Sequence, residues 1–127
     1  MLKGRSFNTV DVPRMTDVFP QAVITDSFIF LSGTTGLDPH SGLVISDDFE
    51  EQTRQALNNI KTILEAAGSS VDKIVKTTLY MVTGNDFAIV NKVYKEFFPS
   101  NAPARSTPQV MPFPGGILMS IECIALK

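Results

Sequence analysis

The sequence is poor in the residues that build metal centres, disulfides and membrane spans. Its 127 residues include no tryptophan, one cysteine (Cys123) and one histidine (His40). A single cysteine excludes an intrachain disulfide, and one Cys with one His is too few for a zinc site. No stretch approaches the roughly 20 apolar residues that span a bilayer, and no apolar segment follows the basic start MLKGRSFNTV. We therefore expect a cytoplasmic protein without membrane contact.

Charge blocks, repeats and low-complexity tracts are also missing. Lys and Arg number 11 against 13 Asp and Glu, a net charge of −2, so the chain lacks the positive field that drives most nucleic-acid binding. The glycines form neither GxGxxG nor GxxxxGK[ST], which leaves a nucleotide-phosphate loop without support. With 43% hydrophobic residues, the composition is that of an ordinary globular protein, and we expect one domain over residues 1–127.

Several segments alternate between apolar and polar residues, as β-strands do. Strands are predicted at 22–25, 28–32, 74–82 and 117–126. The first two form a hairpin around an Asp-Ser turn, and DPHSG at 38–42 predicts a further turn. In the third strand, one face is expected to carry Val75, Thr77, Leu79 and Met81. Pro108 and Pro112 predict an irregular edge strand or a bulge before the last strand.

Two segments have the 3.6-residue period of amphipathic helices. The first begins at Phe49, has Asp47 or Asp48 as its N-cap, and ends before Gly68. The second begins at Asn85 or Asp86 and is stopped by Pro99. Its apolar stripe is predicted to comprise Phe87, Val90, Tyr94 and Phe97, with Asn91 on the same stripe.

The order of these elements predicts an α+β fold, a sheet covered on one face by two helices. Both sides of the 117–126 strand are largely apolar. We therefore expect the uncovered sheet face to pack against other copies of the chain.

Two charged residues stand out as candidates for chemistry. Strand alternation places Glu122 among apolar or small residues, where a carboxylate is either paired with a Lys or Arg at the sheet rim or functional. Arg105, in APARST, lies where the chain leaves a proline-containing loop and enters a strand. Its planar fork suits a carboxylate, although a surface arginine is the simpler interpretation.

Other polar residues have equally ordinary alternatives. Asn91 either packs a helix or contacts a ligand, and Ser32 in LSGTTG either caps a turn or meets a ligand at a strand end. His40 lies in a turn without a matching nucleophile and acid, which disfavours a Ser-His-Asp triad. Cys123 shares a strand face with apolar residues and is expected to be a buried, unreactive thiol.

The order of motifs resembles the RidA/YjgF family over nearly the whole chain. The matching segments are QAV, FLSG, LDPHSG, EEQTRQALNNIKTILEAAGSSVDKIVKTT, NDF..VN.VY.EFF, PARS and IECIA. The tract from Glu50 to Thr78 and the combination of PARS with IE are the specific parts. The resemblance implies a YjgF/chorismate mutase-like fold, a mixed sheet with two helices, in a homotrimer with a central β-barrel and clefts between subunits.

The resemblance also implies an activity and a set of site residues. The activity is enamine/imine deamination, in which 2-imino acids become 2-keto acids and ammonia without a metal or organic cofactor. By motif, the carboxylate-binding arginine is Arg105 and the water-positioning glutamate is Glu122. Ser32 and Asn91 correspond to polar residues of the cleft.

This sequence departs from the family archetype near the implied cleft. Phe19 stands in place of a tyrosine, Thr107 in place of a cysteine and Pro108 in place of a valine. The PFPGG stretch at 112–116 makes the interval between PARS and IE about two residues longer. Substrate choice is therefore left open.

Three other functions compete with the imine deaminase. They are a non-catalytic protein that binds small carboxylates, a specialised deaminase of a larger aminodienoate, and an endoribonuclease or translation inhibitor, names often used for this family. The acidic net charge ranks the last of these lowest.

Overall fold

The computed structural model describes residues 3–127, so Met1 and Leu2 of the predicted domain lie outside the described residues. The strands are β1 (Arg5–Phe7), β2 (Ala22–Ile24), β3 (Phe28–Thr34), β4 (Ile74–Val82), β5 (Ala104–Ser106), β6 (Gln109–Val110) and β7 (Met119–Leu126). The helices are α1 (Phe49–Ala66) and α2 (Phe87–Phe97), with short 3₁₀ turns at Val71–Lys73 and Pro114–Gly116. None of the helices in this part of the chain is long and apolar enough to cross a membrane.

The strands form one mixed sheet in the order β1-β2-β3-β7-β4-β5, and β6 also pairs with β4. Strands β5 and β6 run parallel to β4, and the other pairs are antiparallel. Buried side chains of β3, β4 and β7 pack under both helices in one hydrophobic core. The predicted α+β fold, a mixed sheet with two helices, is confirmed.

Helix α1 begins and ends as its sequence predicts. The Asp48 carboxylate accepts a hydrogen bond from the Glu51 backbone N–H at 2.9 Å, which satisfies one of the free donors of the first turn. Gly68 has a φ of +87° just past the end, a conformation that glycine adopts without steric cost. The predicted stripe of apolar or small residues is buried from Phe49 to Leu64, and its last predicted member, Ala67, is half-buried.

A buried amide joins α1 to two loops. The Gln52 side chain donates to the carbonyls of Ser46 and Gly116, at 2.8 and 3.0 Å, and accepts from the Leu118 backbone N–H at 2.9 Å. Gly36 passes so close to this turn of the helix that an added Cβ would lie 2.5 Å from the Gln52 carbonyl oxygen. These contacts fix the chain segments that follow β3 and precede β7.

The structure corrects three predictions of which side chains are buried. Val75 is exposed instead of sharing the face of Thr77, because the pairing of β4 with β7 is irregular between Ile74 and Lys76. Phe87 is 40% exposed, and it is the first residue of α2. Asn91 is also exposed, on the edge of the buried stripe and not within it.

Strand β7 begins at Met119, two residues later than predicted, because 3₁₀ turn 114–116 delays entry into the sheet. On the sheet face away from the helices, hereafter the open face, large apolar side chains remain in contact with solvent. They include Phe28, Phe30 and Leu126, which are 39%, 43% and 44% exposed. Their contact with other copies of the chain stays a prediction.

Candidate functional site

Glu122 projects from β7 onto the open face and is held there by a tyrosine. It lies directly opposite Thr78 of β4, and the Tyr80 hydroxyl donates to Glu122 Oε1 at 2.6 Å. This hydrogen bond to a carboxylate raises the pKa of Tyr80. No Lys or Arg forms a salt bridge with Glu122 within residues 3–127. The rim ion pair considered from the sequence is therefore not formed in the described chain.

Ser32 lies beside Glu122 on the neighbouring strand. Leu31 pairs with Cys123 and Thr34 with Ile121, so two residues of β3, Ser32 and Gly33, face the single residue Glu122. This bulge bends β3, and bulges of this kind are common next to active sites. An added Cβ at Gly33 would lie 2.7 Å from Ser120 Oγ, so the backbone approaches β7 closely at this point.

The Ser32 hydroxyl connects the bulge to the loop that carries Phe19. It donates to the Pro20 carbonyl at 2.7 Å, and the Phe19 carbonyl accepts from Arg14 at 2.9 Å. The Phe19 ring is 48% exposed. Phe19 and Ser32 also line a small cavity between this loop and α1. Ser32 therefore lies between Glu122 on one side and the loop of Phe19 on the other, and Glu122 does not line this cavity.

Arg105 belongs to a second region, at the β5 edge of the sheet. It pairs with Thr77, a core residue, so its side chain lies on the helix side. The guanidinium donates to Asn91 Oδ1 at 2.7 Å and stacks on the Tyr94 ring, 4.8 Å from the ring centre. No Asp or Glu forms a salt bridge with Arg105 among the described residues.

Tyr94 is a rigid support for this arginine. Its hydroxyl shares a hydrogen bond of 3.1 Å with Thr77 and donates to the Pro103 carbonyl at 3.2 Å. Burial raises the pKa of Tyr94, which keeps the phenol neutral. The guanidinium is therefore oriented by an amide and an aromatic ring, and its charge is not neutralised.

The six sequence-predicted site residues thus fall into two groups. Asn91 adjoins Arg105, and Thr107 follows β5 on the same edge. Glu122 and Ser32 are neighbours on β7 and β3, two and three strands away from β5, and Phe19 lies in the loop that Ser32 contacts. Strand alternation places Arg105 and Glu122 on opposite faces of the sheet, so one chain does not bring them into a common cleft.

Sequence reasoning missed Tyr80 and Tyr94 as partners of the two charged residues. Alternation along β4 places Tyr80 on the face opposite Thr77 and Leu79, which is a signal available from the sequence. The pairing of Tyr80 with Glu122 depends on the β4–β7 register, which the sequence did not specify.

Two further predictions concern His40 and Cys123. His40 is exposed in its turn, where its backbone N–H donates to the Asp38 side chain at 3.3 Å. Cys123 is buried, and burial raises the pKa of its thiol to about 12. The burial predicted for the cysteine is confirmed.

Comparisons with known proteins agree with the resemblance of the motifs. Residues 10–127 match the family model described as Endoribonuclease L-PSP. The 2-iminobutanoate/2-iminopropanoate deaminase of Homo sapiens is 41% identical over 97% of this chain and 90% of its own length.

Two solved structures have the same fold. E. coli TdcF with bound serine has a TM-score of 0.89 and 36% identity, over 97% of this chain and 98% of its own. RidA from an Antarctic Psychrobacter has a TM-score of 0.91 and 32% identity, over 97% and 99% of the two chains. The chain belongs to the RidA/YjgF family, whose model carries the description Endoribonuclease L-PSP.

Proposed function

We propose that the protein is a cytoplasmic imine deaminase that hydrolyses 2-imino acids, such as 2-iminopropanoate or 2-iminobutanoate, to 2-keto acids and ammonia. The observation that carries the proposal is the Arg105 guanidinium, oriented by Asn91 and Tyr94 and without an acidic partner in the described chain. Such a group suits a small carboxylate. The name of the human relative and the serine bound to TdcF are consistent with a substrate of this size and charge.

The proposed reaction uses the two charged residues for different tasks. Arg105 binds the substrate carboxylate, while Glu122 aligns a water molecule and takes one of its protons. The water oxygen forms a bond to the imine carbon, the C=N electron pair moves to nitrogen, and Glu122 delivers the proton it took from water to that nitrogen, which gives a carbinolamine. Glu122 then accepts the proton of the new hydroxyl as the C=O bond forms and delivers it to the departing nitrogen. The C–N bond breaks and ammonia leaves, so this scheme uses no metal or organic cofactor.

The geometry favours a site shared between copies of the chain. Because Arg105 and Glu122 lie on opposite sheet faces, we propose that Arg105 of one copy and Glu122 of another meet in a cleft. Asn91 and Thr107 would line the side of Arg105, with Ser32 and Phe19 on the other side. The exposed apolar side chains of the open face support a homotrimer in which three sheets close into a central barrel.

Mixing two inactive variants tests this assembly. Light scattering should give about three times the chain mass of 13.9 kDa. Arg105→Ala and Glu122→Gln, each inactive alone, should regain part of the activity when co-expressed, because some clefts of mixed trimers then contain both native residues. A monomer in solution would overturn the proposed assembly. If the native protein co-expressed with either variant is active but the two variants together regain no activity, both residues of each cleft belong to one chain.

Keto-acid release tests the reaction itself. An amino-acid-oxidising enzyme generates 2-iminopropanoate in situ, and the protein should accelerate its conversion to the keto acid. Glu122→Gln preserves size and hydrogen bonding but does not accept a proton, so it should lose most of the activity while still binding keto acid. Thermal unfolding of the variant checks that the fold persists. Carboxylate binding without turnover by the native protein would identify a regulatory binding protein instead.

A further inference from the structure

The Tyr80–Glu122 hydrogen bond is short, and the tyrosine hydroxyl is its donor. Its length of 2.6 Å lies within the range for a hydroxyl that donates to an ionised carboxylate. The Tyr80 hydroxyl makes this hydrogen bond and no other with the described residues, and the tyrosine extends along the open face from the centre of β4. Among the described residues, Glu122 is therefore the sole hydrogen-bond partner of the Tyr80 hydroxyl.

Only one of the two carboxylate oxygens is used. Oε1 accepts from Tyr80, while Oε2 has no hydrogen-bond partner among residues 3–127. A glutamate side chain on an exposed sheet face has several rotamers of similar energy, so one anchored oxygen restricts where the other can lie. The arrangement leaves one oxygen positioned and open to a water molecule.

The other residues around Glu122 do not compete for it. Lys76, also from β4, is the remaining charged group on this part of the face, and its Nζ donates to the Thr77 carbonyl and the Thr78 hydroxyl at 2.8 and 3.0 Å. The neutral neighbours are Thr78 of β4, Ser120 and Ile124 of β7, and Phe30 and Ser32 of β3. Cys123 lies on the opposite face.

We propose that Tyr80 is a positioning residue of the deaminase reaction, an inference that rests on the proposed function: its hydroxyl fixes the Glu122 carboxylate so that Oε2 aligns the attacking water. Tyr80 does not contact the substrate in this scheme. Its loss should therefore lower kcat and leave KM nearly unchanged, because the substrate carboxylate is still bound by Arg105.

The variant Tyr80→Phe removes the hydroxyl and keeps the ring. We expect kcat to fall about 10- to 100-fold, the usual consequence of losing a hydrogen bond to a charged group. The matched control is Ser120→Ala, which removes a hydroxyl directly opposite Tyr80 that has no hydrogen bond to Glu122. The control should keep the native kcat.

The outcomes separate this inference from the proposed function. An inactive native protein would contradict the deaminase function and Tyr80's part in it. An active native protein whose Tyr80→Phe variant keeps the native kcat would contradict the positioning role alone. An equal loss in the Ser120→Ala control would show that the sheet face tolerates no substitution, which also overturns the specific role of Tyr80.

A spectroscopic titration tests the contact without any substrate. The chain has two tyrosines, so Tyr94→Phe leaves Tyr80 as the sole reporter of tyrosinate absorbance. In that background Glu122→Gln should move Tyr80 ionisation to lower pH, since the neighbouring negative charge is gone. Circular dichroism checks that both variants are folded. Identical titrations with and without the carboxylate would refute the hydrogen bond and the inference built on it.

Discussion

Replacing Arg105 by lysine separates charge from geometry at the proposed carboxylate site. Lysine keeps the positive charge, but it does not reproduce the parallel N–H donors of a guanidinium or its stacking on the Tyr94 ring. The donation to Asn91 Oδ1 at 2.7 Å, which orients the native side chain, would also be lost or weakened. The lysine ammonium would then offer no pair of parallel donors to a carboxylate, and Asn91 would not hold it in one orientation.

The expected loss follows from the number of charge-assisted hydrogen bonds. Each is worth about 1.5 to 3 kcal/mol, so replacing a two-point contact by a one-point contact should lower kcat/KM about 10- to 100-fold. Arg105 is half-buried on an edge strand whose other two residues are exposed, and it is not a core side chain, so we expect little change in thermal unfolding.

The assay compares an imino acid with the corresponding imino amide or ester. The native protein should prefer the acid strongly, and Arg105→Lys should lose much of that preference. Asn91→Ala provides a second variant, because it releases the guanidinium from its anchor without altering its charge. Equal losses on charged and uncharged substrates would refute carboxylate recognition and show that Arg105 holds the edge of the sheet together.

Two further predictions concern stability and reactivity. Gln52→Leu keeps the side-chain volume but removes the partner of three partly buried backbone groups, so urea unfolding should show a loss of about 1 to 3 kcal/mol. Gln55→Leu, on the same helix, should cost less than about 1 kcal/mol. Cys123 should react with thiol reagents only after unfolding, since burial raises its pKa to about 12. The pKa of the Cys123 thiol is raised in the folded state, so its protonated form stabilises the fold fully below the ordinary thiol pKa of about 8.5. This contribution is lost as pH rises toward about 12. Unfolding midpoints of the native protein, compared with those of Cys123→Ala across this pH range, should show the loss.

The elements governed by local chemistry were predictable from the sequence. Helix α1 has a strong periodic stripe, an aspartate N-cap and a glycine after its end, and all three have the predicted role in the structure. Strand β4 has the predicted bounds, Ile74–Val82. The irregular edge expected from Pro108 appears as the break between β5 and β6.

The errors arose where tertiary contacts decide burial. The bulge that exposes Val75 depends on how β4 pairs with β7, and the exposure of Phe87 depends on what packs against the first turn of α2. The periodic pattern of apolar residues in a single segment determines neither the strand pairing nor the helix packing. The candidate residues Arg105 and Glu122 were recognisable by type and motif, but their tyrosine partners required knowledge of which strands are neighbours.

Strand β4 explains how both groups of the candidate site depend on one register. Its alternating side chains place Tyr80 against Glu122 on the open face, and Thr77 against Tyr94, which supports Arg105, on the helix face. A slip of one residue would turn each of these side chains to the wrong face. The buried row of Thr77, Leu79 and Met81 opposes such a slip, since it would expose apolar surface and bury polar groups. The same core packing that stabilises the sheet therefore holds the proposed carboxylate receptor and the proposed general base in their geometry, although they lie on opposite faces and more than one strand apart.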